Sequence, residues 1–414
     1  MNLRPLLCAT TLLASTSALA AAPGAPAAIG NGFTLDPIVE GRMRFEQVET
    51  PALDAEALTV RLRAGAELRH DSGLALLAEA EGSLAVVDRY NAYAFVIADR
   101  QRRPGHAVVA DPMTVEVNRL QLGYRTGPVA VTLGRQRINL DDQRFVGSVG
   151  WRQNEQTFDA LRAEAKLGPV RIDGSYAVAQ RTILGASAGP RQTYDGSFVF
   201  LGAGAAQGPF QAKAFAYLLD YDRSEQLGPL AIANADIRTF GLRLAGTVPL
   251  GQAQLALAAS YARQSGWQEN PTRRGNAYIA AEAALSHDGL TATAGFERLG
   301  GNGISAFQTP MATLHKFNGW ADQFLVTPAA GLGDVYAGLA YAFGRGGALP
   351  GLKAAVTFHR FASDRGGLHY GDEWDASLGL PLGRMQLVAK LADYRAERFG
   401  SDTRKFWLQV EFAY

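Results

Sequence analysis

The chain has 414 residues, with 40 Lys and Arg against 39 Asp and Glu, 46 Gly, 20 Phe, 14 Tyr and a single Cys. A balance this close to neutral offers no basic excess for nucleic acid, so none is expected as a partner. One cysteine excludes a disulfide framework within the chain, and no stretch after the leader approaches the ~18 consecutive apolar residues of a transmembrane helix.

Residues 1–20 read as a secretory signal peptide. Arg4 supplies the positive end, Leu6, Leu7, Leu12 and Leu13 a short apolar stretch, and Ala18-Leu19-Ala20 a small-x-small cleavage site. Cleavage after Ala20 removes Cys8 and Arg4, leaving a cysteine-free mature chain whose formal charges cancel. Residues 21–31, rich in Ala, Pro and Gly, read as a flexible lead-in, and 32–414 as one domain.

Within that domain the hydropathy alternates. From Leu58 to Arg69 the even positions are apolar, and the odd ones are polar or glycine. Side chains of a strand alternate faces, so one face is oily and the other carries Arg61, Arg63, Glu67 and Arg69. The last strand repeats the pattern. Phe406, Leu408, Val410, Phe412 and Tyr414 share one face, and Lys405, Trp407, Gln409 and Glu411 the other. Lipid outside and water inside demand this alternation, and it keeps the mean hydropathy near zero.

Strand ends alternate between tight turns and longer polar connections. The turns include His70-Asp71-Ser72-Gly73, Gly127-Pro128, Gly168-Pro169, Gly208-Pro209, Leu250-Gly251, Asp288-Gly289 and Leu382-Gly383. The connections cover roughly 47–55, 88–113, 139–155, 181–194, 222–235, 264–275, 299–332, 362–371 and 395–403. Counting between them predicts an all-β, up-and-down antiparallel transmembrane barrel of about eighteen strands, with short periplasmic turns and long extracellular loops. A barrel of that size leaves an aqueous channel. The polar face switches parity near Asn118, which predicts a β-bulge there.

The inward row gathers Arg42, Arg44, Arg61, Arg63, Arg125 and Arg162, faced by Glu79, Glu81 and Glu116. Arginine keeps its charge and grips carboxylates through a planar fork, so such rows favour anions. The competing reading is a ladder of cross-strand ion pairs that stiffens the wall.

Two stretches carry more than alternation. One is Gly134-Arg135-Gln136-Arg137 through Gly147, followed by Trp151-Arg152-Gln153-Asn154-Glu155-Gln156-Thr157-Phe158-Asp159. The other is Thr313-Leu314-His315-Lys316-Phe317-Asn318-Gly319-Trp320-Ala321-Asp322, followed by Thr327-Pro328. Together they resemble the alginate-export family of outer-membrane barrels, over essentially the whole mature chain. The resemblance implies an eighteen-stranded monomeric pore, one whose best-known member passes a polyuronate through an arginine-lined lumen. Many relatives look like general or nutrient-uptake channels instead. Arg135, Arg137, Arg152 and Asp159 lie in the first stretch, at or near a strand–loop junction from which the arginines could reach a constriction. His315, Lys316, Trp320 and Asp322 lie in the second, within the longest connection. A connection that long and that aromatic folds either inward as a gate or outward as a cap.

The expected function is a passive outer-membrane diffusion channel for anionic saccharides or small anions in a Gram-negative bacterium. No catalytic residue, cofactor or metal is expected, because the six histidines show no metal-ligand spacing. The alternatives are a general nutrient porin without anion selectivity, a barrel-form enzyme, and a closed structural barrel. Expected partners are outer-membrane lipid, lipopolysaccharide and the anionic solute. The strand ending at Tyr414 is expected to engage the barrel assembly machinery.

Overall fold

The computed structural model describes residues 26–222, 236–268, 270, 275–344 and 349–413. The expected signal peptide and Tyr414 lie outside the described residues. Of the lead-in, Ala27–Gly30 forms a short strand, β1, that pairs back on the start of the next one.

Eighteen strands follow. They are β2 (Phe33–Glu49), β3 (Asp54–His70), β4 (Leu74–Arg89), β5 (Thr114–Thr126), β6 (Val129–Gln136), β7 (Thr157–Leu167), β8 (Val170–Arg181), β9 (Thr193–Gln207) and β10 (Phe210–Tyr221). Then come β11 (Ile237–Leu250), β12 (Ala253–Gly266), β13 (Asn276–His287), β14 (Leu290–Leu299), β15 (Leu332–Ala342), β16 (Lys353–Ala362), β17 (His369–Leu382), β18 (Met385–Ala396) and β19 (Thr403–Ala413). Each pairs antiparallel with its chain neighbours, and β19 pairs with β2 to close the sheet. Closure satisfies the edge groups that an open sheet would leave bare in lipid.

The alternation sets which face is inside. Leu62 is 52% exposed on the outer face, whereas its neighbour Arg63 is fully buried. In β19, Phe406, Leu408 and Phe412 point outward and Trp407 and Gln409 inward. Phe33, Tyr124, Tyr341 and Phe412 are exposed near the short-turn rim, where aromatic rings suit a membrane interface. The bulge falls where the parity changes: Glu79 faces Arg119 and Ala80 faces Val117, which leaves Asn118 as the extra residue. Two connections break the rhythm. Residues 50–53 form a short link on the long-loop rim, and β15 and β16, at the short-turn rim, are further apart in sequence than the other strand pairs there.

The lumen is not empty. Its interior holds Ile138, Val146, Trp151, Phe307, Met311, Trp320 and Phe324, all buried and all from the connections 137–156 and 300–331. A second apolar cluster packs Tyr90, Tyr93, Phe95 and Val109 of connection 90–113 against Ala188.

Candidate functional site: the lumen septum and the vestibule below it

The two long connections meet inside the barrel. Gly147 donates its N–H to the Met311 carbonyl at 2.9 Å, and Thr313 donates to the Gln143 carbonyl at 3.1 Å. Trp151 stacks on His315 with ring centroids 4.9 Å apart. The longest connection therefore folds inward and joins its partner as a septum, rather than capping the barrel from outside. Gly147 sits at the junction, where a Cβ would collide with Thr313 and Gln143.

Strand register explains how the wall holds the septum. Glu411, Arg42 and Arg61 lie directly opposite one another across β19, β2 and β3. Arg42 pairs with Glu411 at 2.8 Å and donates to the carbonyls of Trp151, Arg152 and Gly150 at 3.0, 3.0 and 3.1 Å. Arg44 donates to Gln409 at 2.9 Å, lies 3.5 Å from Asp111, and packs over the Trp151 ring at 4.1 Å. These arginines supply donors to loop carbonyls that burial would otherwise leave unsatisfied.

One row further along, Glu40, Arg63, Glu81 and Glu116 align across β2 to β5. Arg63 pairs with Glu81, with Glu40 at 3.3 Å and with Glu155 of the septum at 2.7 Å. Glu116 is half-buried beside Glu81. Arg61 faces Arg42 and Ser83 rather than an acid, and among the described residues only Glu40 reaches it, at 3.7 Å. Its Nε and Nη1 have no hydrogen-bond partner among the described residues.

The arginines of the first stretch are likewise matched. Arg135 forks onto Asp159 at 2.8 and 3.2 Å, and Arg181 shares that carboxylate. Arg137 pairs with Glu155 and lies 3.3 Å from Glu79, which also takes both arms of Arg119. Arg152 reaches Asp322 at 2.9 Å and Glu46 at 3.4 Å. In the second stretch His315 bonds Asp322 at 2.9 Å and the Lys390 ammonium at 3.1 Å, while Lys405 reaches Asp322 at 2.7 Å. Burial pulls the His315 imidazole well below its ordinary value despite Asp322 beside it. Lys405, His315 and Arg152 hold the Asp322 carboxyl well below the usual range against the effect of burial. Lys316 donates to the Asp142 carbonyl at 2.8 Å, and the Trp320 N–H to Asp375 at 3.2 Å.

The charged row thus divides. Near the septum the arginines are buried and paired, so the ion-pair reading describes that region. At the short-turn end Arg125, Lys166 and Arg171 are exposed, and among the described residues they carry no ion pair. With Lys213 and Arg243 they line an open cavity whose acids are Asp141, Glu164 and Asp173. Arg162, at the same end, pairs with Glu164 at 2.8 Å. Sequence reasoning missed Asp111, Arg119, Arg144 and Glu155. No sequence pattern marks Glu155: the six consecutive buried residues from Trp151 to Gln156, five of them polar, show their burial only in the structure.

A closed eighteen-stranded barrel with inward loops and a charged vestibule defines the porin-type outer-membrane barrels. The chain belongs to the alginate-export family, whose model matches residues 54–292. Among curated proteins none matches the sequence. Three solved structures share the fold. OpdK of Pseudomonas aeruginosa is 14% identical, with 92% of this chain and 98% of that one covered and a TM-score of 0.71. OccAB3 of Acinetobacter baumannii is 14% identical (92% and 99% covered, TM-score 0.71). A BenF-like porin of Pseudomonas fluorescens Pf-5 is 13% identical (92% and 98% covered, TM-score 0.71).

Proposed function

We propose that this barrel is a passive channel for small hydrophilic anions, from organic acids to uronate-type saccharides, and not an enzyme. The observation that carries the reading is the exposed, unpaired trio Arg125, Lys166 and Arg171 around the open cavity. Exposed cations remain available to a passing carboxylate, and binding to them is weak enough for release. The septum acts as the constriction, with His315, Lys316, Trp320 and Asp322 as its hinge side. The family's description as alginate export supports an acidic saccharide cargo. OpdK, which shares the fold, has been crystallised with vanillate, a small carboxylate.

Export follows from the leader over residues 1–20 with cleavage after Ala20. Assembly follows from the C-terminal strand, whose outward Phe406, Leu408 and Phe412 fit the period-2 apolar signal. Reversal potentials across a planar bilayer in a salt gradient test the selectivity, with uronate oligomers of increasing length as blockers. Anion preference with block by uronates is the expected result. Cation preference in the wild type refutes it, and equal permeability of both ions indicates a general porin.

A further inference from the structure

A second cavity lies beneath the septum on the other side of the lumen. Its charge is opposite to that of the basic vestibule. Glu282, Glu297, Asp334 and Asp375 converge on it from β13, β14, β15 and β17.

Two of these acids are already matched. Glu297 takes both arms of Arg144, at 2.6 and 3.2 Å, and Asp334 bonds His359 at 3.0 Å. The cavity's two cations are committed elsewhere. Arg243 pairs with Asp142 at 2.7 Å, and Lys316 donates to the carbonyl of the same residue.

Glu282 and Asp375 are matched less closely, Asp375 by the same His359 at 3.8 Å. Glu282 is half-buried, accepts the Tyr336 hydroxyl at 2.7 Å, and has no ion pair among the described residues. Register explains that hydrogen bond. Tyr336 lies opposite Gly295 and Gly295 opposite Glu282, so the ring crosses the glycine where a Cβ would collide with it. Asp375 is 1% exposed; its Oδ2 accepts the Trp320 N–H, and its Oδ1 has no hydrogen-bond partner among the described residues. Glu373, two residues along the same face, has an unmatched Oε2 as well. Buried carboxylate oxygens without donors are costly, and two neighbouring ones are relieved either by a proton shared between them or by a cation beside them.

The cavity wall suits an ammonium ion. Tyr278, Phe317, Trp320 and Tyr336 line it, and ring faces attract cations. The Trp320 ring already holds the Lys390 ammonium at 3.4 Å, on the wall beside Asp375. A primary ammonium brings three donors, enough for the remaining lone pairs of Glu282 and the Oδ1 of Asp375.

We infer that this acidic cavity binds a primary ammonium group, so that the preferred solutes carry an amino group as well as a carboxylate. The carboxylate part rests on the anion reading above; the ammonium part stands on Glu282 and Asp375. Hexylammonium, hexanoate and 6-aminohexanoate are the probes, and block of single-channel current is the readout on the full-length barrel. Hexylammonium is expected to block the wild type, and Glu282→Gln to weaken that block about fivefold, since an accessible ion pair contributes little more. Hexanoate block is expected to be unchanged. Glutamine still accepts the Tyr336 hydroxyl, so the variant keeps the wall intact, and unaltered heat-modifiable migration on gels checks this. Absence of hexylammonium block, or block that Glu282→Gln leaves unchanged, overturns the inference. In that case the unmatched oxygens share a proton. Hexylammonium block that Glu282→Gln weakens, without any hexanoate block, supports the ammonium site and sinks the anion reading instead.

Discussion

Reversing the exposed basic trio tests the anion reading most directly. Arg125, Lys166 and Arg171 are exposed and unpaired among the described residues, so Arg125→Glu, Lys166→Glu and Arg171→Glu break no ion pair. Water is then the relevant medium. A permeant anion passing about 7 Å from one such charge feels about 0.6 kcal/mol, roughly halved by screening at physiological salt. Three reversals alter six unit charges, so the anion's local free energy rises by about 2 kcal/mol, a roughly 30-fold fall in local occupancy. In a bilayer separating unequal KCl solutions, the reversal potential should move toward that of a cation channel. High salt should shrink the difference between variant and wild type. A reversal potential that does not move in the triple variant would refute the argument, because the other cations lining that cavity, Lys213 and Arg243, are held by Asp141, Asp173 and Asp142.

The septum gives further tests. Deleting 305–325 removes the inward half of the longest connection, and single-channel conductance should rise; unchanged conductance shows that the solute path avoids it. Asp322→Asn strips Arg152, Lys405 and His315 of a shared carboxylate; Arg152 keeps Glu46, but Lys405 is left as a buried cation without its partner, at a cost of about 3–5 kcal/mol to the loop's closed state. Faster proteolysis of the loop and noisier current should follow. Gly319 has φ 80°, and a Cβ there would strike the Glu373 carboxylate. Gly319→Ala should therefore loosen the same segment, and proteolysis no faster than wild type would argue against it. Acid should act alike. With its folded value pulled well below the ordinary ~6.5, His315 is neutral in the septum while the released loop takes up a proton, so the closed state weakens as pH falls through that value. The Asp322 contribution, held by a depressed carboxyl, is lost only as pH falls further, below the ordinary carboxylate range. Current noise equal at pH ~7.5 and ~5.5 would contradict the first step.

The barrel was legible because lipid enforces a period. Leu58 to Arg69 and the residues from Lys405 onward each reveal their faces without any tertiary information, and the parity switch at Asn118 located a bulge to the residue. Loop destinations were not legible in the same way. A polar run such as Arg152 to Gln156 reads as a solvated outer loop, since no local pattern says that Arg42 and Arg44 wait inside the wall to receive its carbonyls. The family stretches marked the right segments, and only the contact between Gly147 and Met311 reveals that they meet. Counting arginines misled for a related reason. Arg63 and Arg125 look equivalent in a strand pattern, yet one sits among three carboxylates and the other faces an open cavity.

That contrast follows from the septum itself. Folding two polar connections into a lumen removes backbone carbonyls from water, and each must find a donor. The wall near the septum meets the demand with arginines, and arginines buried there must in turn be neutralised. Arg42 shows both steps: three septum carbonyls on one side and Glu411 on the other. The charges that build the constriction are therefore held fixed, and their field is largely cancelled by their partners. If the barrel passes solutes as proposed, recognition falls to charges that the septum does not use. On one side of the lumen these are the exposed cations near Arg171, and on the other Glu282, which has no ion pair among the described residues. Arg243 and Asp142, paired at 2.7 Å, stand between the two cavities. Neutralising that pair with Arg243→Gln and Asp142→Asn should change the rate at which a solute crosses from one cavity to the other, while leaving the ion preference of each side in place.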